Sequence, residues 1–95
     1  MANYRLSPNA KDDLERIWFY GLEQWGQEMA DRYLQELFAS LDKIADAPMQ
    51  YQAVEHIRPS YRRCVFKSDT IYFRLGDGVV EIMAILGRQD RTNWL

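Results

Sequence analysis

The chain has 95 residues, 47% of them apolar and 27% charged, which fits one globular domain and leaves no room for a second. A chain of this length buries about two-thirds of its unfolded surface, enough for a single core. The single cysteine, Cys64, excludes an internal disulfide and favours a reducing compartment. No apolar run approaches membrane-spanning length and no signal peptide is visible, so we expect a cytoplasmic protein without a membrane partner.

The formal net charge of −2 is unevenly distributed along the chain. Residues 1–47 carry 5 basic and 9 acidic side chains, whereas residues 48–95 carry 7 and 5. The basic excess in the second half is weak evidence for an anionic partner there. It does not indicate a general nucleic-acid binder, and we expect no sequence-specific nucleic-acid binding by this chain.

The first half of the chain predicts a short strand followed by two helices. Residues 4–6 suit a strand, and Ser7-Pro8 is typical of a helix start, with serine at the N-cap and proline at the first helical position. Gly26 suits the end of this first helix. Apolar residues then recur at intervals of three and four from residue 27 to residue 45, which predicts a second helix ended by Pro48.

The short connection between the helices allows only an antiparallel hairpin. We expect its large aromatic side chains to lie in the core and the acidic residues of its first turns to be surface charges that stabilise the helix dipole. The aromatic residues are Trp18, Trp25, Tyr33 and Phe38, and the acidic ones are Asp12, Asp13 and Glu15. Residues 48–60 are interpreted as loop.

The second half predicts three antiparallel strands over residues 61–67, 70–76 and 79–87, joined by two-residue turns at Ser68-Asp69 and Asp77-Gly78. Such turns determine the register of both hairpins. The predicted apolar pairs on one face are Phe66–Ile71, Cys64–Phe73, Ile71–Ala84, Phe73–Ile82 and Leu75–Val80. The sequence therefore predicts an α+β fold with an N-terminal strand, an antiparallel helical hairpin and a three-stranded antiparallel meander.

The same register predicts a second sheet face that the helices cannot cover. Its expected pairs are Arg63–Arg74, Arg74–Glu81, Val65–Tyr72 and Tyr72–Met83, with Ile85 beside Thr70. Facing arginines repel unless an acid or anion lies between them. Two interpretations stay open: Glu81 neutralises Arg74 while Arg63 points into water, or the arginines bind an acidic or anionic partner.

No constellation of catalytic residues is apparent. A lone histidine, His56, and one unrelated cysteine make no zinc site, and no phosphate loop or nucleophile elbow is present. Cys64 falls on the predicted core face and suits a small buried apolar residue. We therefore expect no metal, no cofactor and no catalytic residue.

The order and spacing of several short segments resemble the ParE group of the ParE/RelE toxin superfamily of bacterial toxin–antitoxin systems. The resemblance covers nearly the whole chain, and it rests on Tyr4-Arg5-Leu6-Ser7, Ala10, Asp13-Leu14, Ile17, Tyr20, Trp25-Gly26, Ala30, Tyr33, Leu37, Leu41, Pro48, Arg58, Tyr61-Arg62-Arg63, Ile71-Tyr72-Phe73-Arg74, Val80-Glu81-Ile82 and Ile85-Leu86-Gly87-Arg88-Gln89-Asp90.

The resemblance implies a toxin that is neutralised by a cognate ParD-like antitoxin and that poisons DNA gyrase by protein–protein binding. RelE-type relatives instead cut mRNA on the ribosome with basic residues and often a tyrosine or histidine. Lys67 is the only lysine in the strand region, and Gly87 stands where many relatives carry histidine. The mRNA endonuclease stays open as the alternative, as does a non-toxic relative that only binds an antitoxin.

We predict that two surfaces of the toxin carry its interactions. The antitoxin is expected on the uncovered sheet face, at Arg63, Val65, Tyr72, Arg74, Met83 and Ile85. Such a peptide is expected to fold on binding, as a helix in a groove or as an added strand. Arginine and tryptophan are frequent among the residues that contribute most to binding interfaces. The target is therefore expected at the C-terminal tail, at Arg88, Asp90, Arg91 and Trp94.

Overall fold

A layer of two helices packs on one face of a five-stranded sheet. The structure is a computed structural model, and it describes residues 3–87. The elements are β1 (Tyr4–Leu6), α1 (Pro8–Trp25), α2 (Gln27–Asp46), a 3-10 turn (Pro48–Gln50), β2 (Gln52–Ala53), β3 (Tyr61–Phe66), β4 (Asp69–Gly76) and β5 (Val79–Gly87). The strand order is β1-β5-β4-β3-β2, with β1 parallel to β5 and the other pairs antiparallel. The predicted α+β fold with its helical hairpin and meander is confirmed.

The helix boundaries follow from the local sequence signals. The Ser7 hydroxyl accepts a hydrogen bond from the backbone N–H of Ala10 at 3.0 Å, as an N-cap serine does. Gly26 has a φ of 89°, which disfavours any residue with a side chain, and its N–H donates to the carbonyl of Leu22. Both predicted helices are therefore confirmed to within a residue at each end.

The main core lies between the helices and the sheet. Its buried members are Ala10, Leu14, Ile17, Leu37, Leu41, Ile44, Phe66, Ile71, Phe73, Val80, Ile82 and Ile85, with Tyr33 and Cys64 packed against them. The predicted placement of Cys64 on the core face is thus confirmed. Trp18, expected in the core, is half-buried outside the core cluster, and Trp25 and Phe38, also expected there, are 49% and 37% exposed. A two-layer fold buries only one stripe of each helix, and Trp25 and Phe38 lie at its margins.

Residues 48–60 are more ordered than predicted. The 3-10 turn and β2 occupy the first part, and Gln52 and Ala53 pair with Arg63 and Arg62 of β3. After β2 the chain turns back to β3, where the Val54 N–H donates to the Tyr61 carbonyl at 2.8 Å. A two-residue strand is too short to show alternation, so its sequence carried no strand signal.

The first hairpin turns one residue earlier than predicted. Lys67 and Ser68 form the turn, Lys67 takes a positive φ of 52°, and Asp69 already pairs with Phe66. The Tyr33 hydroxyl donates to the Asp69 carboxylate at 2.7 Å and so holds this residue at the start of β4. The register is shifted by two residues, which preserves the faces but changes every partner.

The predicted Arg63–Arg74 and Val65–Tyr72 pairs are consequently wrong. Arg63 pairs with Tyr72, Val65 pairs with Thr70, and Arg74 faces Tyr61. The two arginines therefore do not face each other across the strands.

A β-bulge interrupts the second hairpin. The predicted pairs Leu75–Val80, Arg74–Glu81 and Phe73–Ile82 are confirmed, but Tyr72 pairs with Ala84, so Met83 is the extra residue. Beyond the bulge the side chains of β5 exchange faces. Ile85 pairs with Ile71 and lies fully buried in the main core, so its expected position on the uncovered face is wrong.

Polar side chains of α1 complete the hydrogen bonds of β5 where β1 ends. Ser7 and Asn9 donate to the Met83 carbonyl at 3.0 and 3.3 Å. Asp13 accepts from the Ile85 N–H at 2.9 Å, and Arg16 donates to the Ile85 carbonyl at 3.0 Å. Asp13 is only 9% exposed, so its expected role as a surface charge is wrong.

Candidate functional site

The sheet face turned away from the helices, here called the outer sheet face, carries a row of charges across three strands. Arg74 Nε lies 2.9 Å from Glu81 Oε1, and Arg5 Nη2 lies 3.9 Å from Glu81 Oε2. The predicted Arg74–Glu81 pair is thus confirmed. Because two guanidinium groups share one carboxylate, this row retains a net positive charge and suits an acidic partner.

Arg63 and Val65 extend this face along β3. Arg63 is half-buried as a residue, and its Nε donates to the Gln52 side-chain oxygen of β2 at 3.1 Å. Val65 is 67% exposed although it is β-branched and apolar. An exposed valine beside arginines is typical of a surface that a partner covers, although single exposed apolar residues are also common.

Tyr72 does not belong to the accessible part of this face. It is 1% exposed and forms a second small cluster with Val54, Ala84 and Leu86, against which Ile57 and Tyr61 pack. The bulge directs Ala84 and Leu86 to this side of the sheet, and the segment after β2 supplies Val54 and Ile57. Val54 and Ile57 are apolar residues within the predicted loop, and they are a signal that could have indicated this cover.

The six residues predicted for antitoxin binding therefore separate into three groups. Arg74 and Val65 are exposed, and Arg63 and Met83 are half-buried. Tyr72 and Ile85 are buried, in the second cluster and the main core respectively, so their predicted exposure is wrong. The four predicted target-binding residues, Arg88, Asp90, Arg91 and Trp94, lie outside the described residues.

The reactive side chains lie apart from one another. His56 is exposed on the segment between β2 and β3, whereas Cys64 is half-buried against the main core. Burial raises the pKa of the Cys64 thiol, which lowers its thiolate fraction at neutral pH. Within residues 3–87, no group of three or more histidine, cysteine and acidic side chains could hold a metal ion.

An apolar groove of about 320 Å³ opens where the helical hairpin meets the β3–β4 turn. Trp25, Met29 and Tyr33 line it, and Trp25 and Met29 are about half exposed. The Lys67 ammonium lies 5.2 Å from the Tyr33 ring centroid and 3.0 Å from Glu36. Burial and the hydrogen bond to Asp69 raise the pKa of Tyr33, so this hydroxyl keeps its proton to a more alkaline pH than a free tyrosine does.

Comparison with known proteins identifies the class of this molecule. Residues 4–92 match the family model described as the ParE toxin of the type II toxin–antitoxin system parDE. A protein named Toxin ParE1 from Caulobacter vibrioides is 43% identical over 86 residues, which cover 90% of this chain and 88% of the relative. Another Toxin ParE1, from Mycobacterium tuberculosis, is 36% identical with the same coverage.

A solved structure titled "Chromosomal ParDE TA system from P. aeruginosa" has the same fold. It superposes with a TM-score of 0.80 and covers 92% of this chain and 96% of its own, at 18% sequence identity. No helix in residues 3–87 is both long enough and apolar enough to cross a membrane. The family match over nearly the whole chain and the two curated relatives show that this chain belongs to the ParE toxin family of type II toxin–antitoxin systems.

Proposed function

We propose that this toxin acts by binding DNA gyrase, performs no catalytic chemistry of its own and is neutralised by a ParD-like antitoxin. Membership of the ParE family supports the toxin role and an antitoxin partner. Gyrase as the target rests on the resemblance to ParE-type toxins, since fold by itself does not identify a target. The observation that favours a binding mechanism over mRNA cleavage is the burial of Tyr72.

A nuclease needs a proton-transfer group within hydrogen-bonding distance of its substrate. Tyr72 is the sheet residue best suited to that role, yet it is 1% exposed and packs in the second cluster. Arg74, which would stabilise a phosphoryl transition state, is instead engaged by Glu81 at 2.9 Å. Both observations favour a toxin that acts by binding a protein over one that cleaves mRNA.

The antitoxin is proposed to bind the accessible part of the outer sheet face, at Arg63, Val65 and Arg74. Acidic antitoxin residues would complement the two arginines, and an apolar residue would cover Val65. Met83, half-buried at the bulge, is proposed to lie at the margin of this contact. Tyr72 and Ile85 would support the surface from beneath without contacting the antitoxin.

The decisive experiment asks which cellular process fails first when the toxin is induced. We expect a DNA-damage response before translation stops, and we expect the purified toxin to inhibit supercoiling by purified gyrase. Tyr72→Phe and His56→Ala should remain toxic, because neither hydroxyl nor imidazole takes part in chemistry. A folded Tyr72→Phe variant that has lost toxicity, together with codon-specific mRNA cleavage by the parent protein, would replace the gyrase mechanism with the nuclease.

A further inference from the structure

The side of the helical hairpin turned away from the sheet presents aromatic rings that the core does not use. Phe19, on α1, is 51% exposed, and its ring packs edge-on against Trp18 with the centroids 5.2 Å apart. The Trp18 indole N–H donates to the Asp31 carboxylate of α2 at 2.9 Å. This bond joins the two helices, and the Phe19 ring packs against the indole that it holds.

Carboxylates flank this aromatic pair along α1. Glu15 and Glu23 lie four residues before and after Phe19, so one carboxylate stands a helical turn on each side of the ring. Both glutamates are exposed, and neither forms an ion pair with another residue of the described part of the chain. We call Glu15, Trp18, Phe19, Glu23 and Asp31 together the helical outer face.

We propose that the helical outer face binds a basic, arginine-bearing surface of the toxin's target protein. A guanidinium placed on the Phe19 ring would gain a cation–π contact, and the neighbouring glutamates would accept its hydrogen bonds. An apolar ring between unpaired carboxylates offers both interactions to one arginine side chain. This proposal rests on the proposed function, in which the target is DNA gyrase.

Charge argues against the other occupants of this face. A second copy of the chain that docked through this same face would bring Glu15 and Glu23 against the same carboxylates, and like charges at an interface oppose association. An acidic antitoxin segment would be repelled here for the same reason, whereas Arg74 and Arg63 attract it on the opposite side of the sheet. A cationic target surface is the occupant whose charge fits.

The experiment compares isosteric and apolar-to-polar variants of this face with matched controls. Glu15→Gln/Glu23→Gln removes two charges from the face, and Asp46→Asn/Asp77→Asn removes two exposed charges elsewhere. Phe19→Ser removes the ring, and Leu75→Ser removes an apolar side chain of similar exposure near the end of β4, outside both proposed binding faces. Each variant is measured for growth inhibition, affinity for purified gyrase and affinity for the cognate antitoxin, after circular dichroism has confirmed folding.

We expect both variants of the helical outer face to bind gyrase about tenfold more weakly, with antitoxin affinity unchanged. The loss caused by Glu15→Gln/Glu23→Gln should shrink at high salt, because screening weakens exposed charge pairs. The charge control, Asp46→Asn/Asp77→Asn, should bind gyrase and inhibit growth as the parent does. If the Phe19→Ser variant also binds the antitoxin more weakly, then the antitoxin and not the target occupies this face. That result would overturn the proposal.

The outcomes separate this proposal from the proposed function. If the parent binds gyrase and both face variants bind it equally well, the face proposal fails while gyrase remains the target. If the parent binds no gyrase, the proposed function fails. Growth inhibition by the variants of the helical outer face then tests whether this face binds a target. Loss of toxicity in the folded variants with antitoxin binding intact would support a basic surface on another target, and full toxicity would overturn the proposal.

Discussion

The Asp13 carboxylate accepts a backbone hydrogen bond from β5 at a position that β1 does not reach. Its Oδ2 accepts the Ile85 N–H at 2.9 Å and also the amide of Asn9 at 3.3 Å, where the short strand β1 no longer reaches β5. A buried N–H without a partner costs about 1–3 kcal/mol. Asp13 therefore satisfies a backbone group that would otherwise destabilise the fold.

We predict that Asp13→Ala lowers the free energy of unfolding by about 1–3 kcal/mol, because the Ile85 N–H loses its acceptor. Asp12→Ala, at the exposed neighbouring position, should change it by at most about 0.5 kcal/mol. Urea denaturation followed by circular dichroism measures both. Equal stabilities of the two variants would show that the Asp13 hydrogen bond contributes nothing.

Tyr33 links the helical layer to the first hairpin turn, and its raised pKa makes this link sensitive to alkaline pH. Below about pH 10 the tyrosine is protonated in both folded and unfolded states, so it adds no pH dependence. Above that value the unfolded state loses the proton first, and the stability contributed by Tyr33 falls as pH rises.

We predict that Tyr33→Phe lowers stability at neutral pH, because the 2.7 Å hydrogen bond to Asp69 is lost. The difference between parent and variant should narrow between about pH 10 and 12. Tyr4 and Tyr51 also have raised pKa values, and both remain in the variant, so the difference isolates Tyr33. A constant difference across this range would contradict the assigned role of the Tyr33 proton.

At the scale of elements, β5 connects the core to the C-terminal segment. Its last residues are held by α1 through the bonds from Asp13 and Arg16 to Ile85, and Gly87 pairs with Asp69 of β4. The strand is therefore held on the α1 side as far as Ile85 and on the β4 side as far as Gly87. Arg88, Asp90, Arg91 and Trp94 follow directly in the sequence.

We predict that deleting residues 88–95 abolishes growth inhibition while antitoxin binding survives. The deletion leaves the main core of residues 3–87 intact, and arginine and tryptophan are frequent among residues that dominate binding interfaces. Growth on induction, an antitoxin pull-down and circular dichroism measure the three consequences. A folded deletion variant that is still toxic would exclude the tail from the target contact.

At the scale of the whole molecule, the two outward faces differ in charge. On the outer sheet face Arg5 and Arg74 share one acidic partner, Glu81, and Arg63 contacts the neutral Gln52. The helical outer face instead carries Glu15 and Glu23 without ion partners in residues 3–87. This separation follows the uneven distribution of charge along the sequence, because the helices come from the acidic half and most of the sheet from the basic half. An acidic antitoxin would thus bind the outer sheet face, and a basic target would bind the helical outer face.

We predict that Arg74→Glu weakens antitoxin binding by about tenfold or more at low salt and by less at high salt, because screening reduces the repulsion. Arg32→Glu, a matched charge reversal on the helical layer, should leave the affinity unchanged. Titration calorimetry at two salt concentrations measures both. An unchanged affinity for Arg74→Glu would exclude the outer sheet face as the antitoxin site.

Local signals in the sequence were sufficient for the helices and for the type of fold. The Ser7-Pro8 start, the Gly26 end and the turn at Asp77-Gly78 each depend on residues within a few positions of one another. The second hairpin was therefore correct near its turn, including the Arg74–Glu81 pair. Family membership likewise followed from the order of short segments along the whole chain.

The candidate site was decided by contacts between residues distant in sequence. The bulge at Met83 reflects the α1 side chains that bind β5 some seventy positions later, and it turned Ile85 into the core. Val54 and Ile57, which cover Tyr72, come from the segment after β2, and the two-residue strand β2 is too short for a periodic sequence signal. The sequence by itself thus determined the elements, the fold class and the family, because these depend on local spacing. Tertiary structure decided which residues of the sheet remain accessible to a partner, because a bulge or a returning segment changes faces through long-range hydrogen bonds and packing.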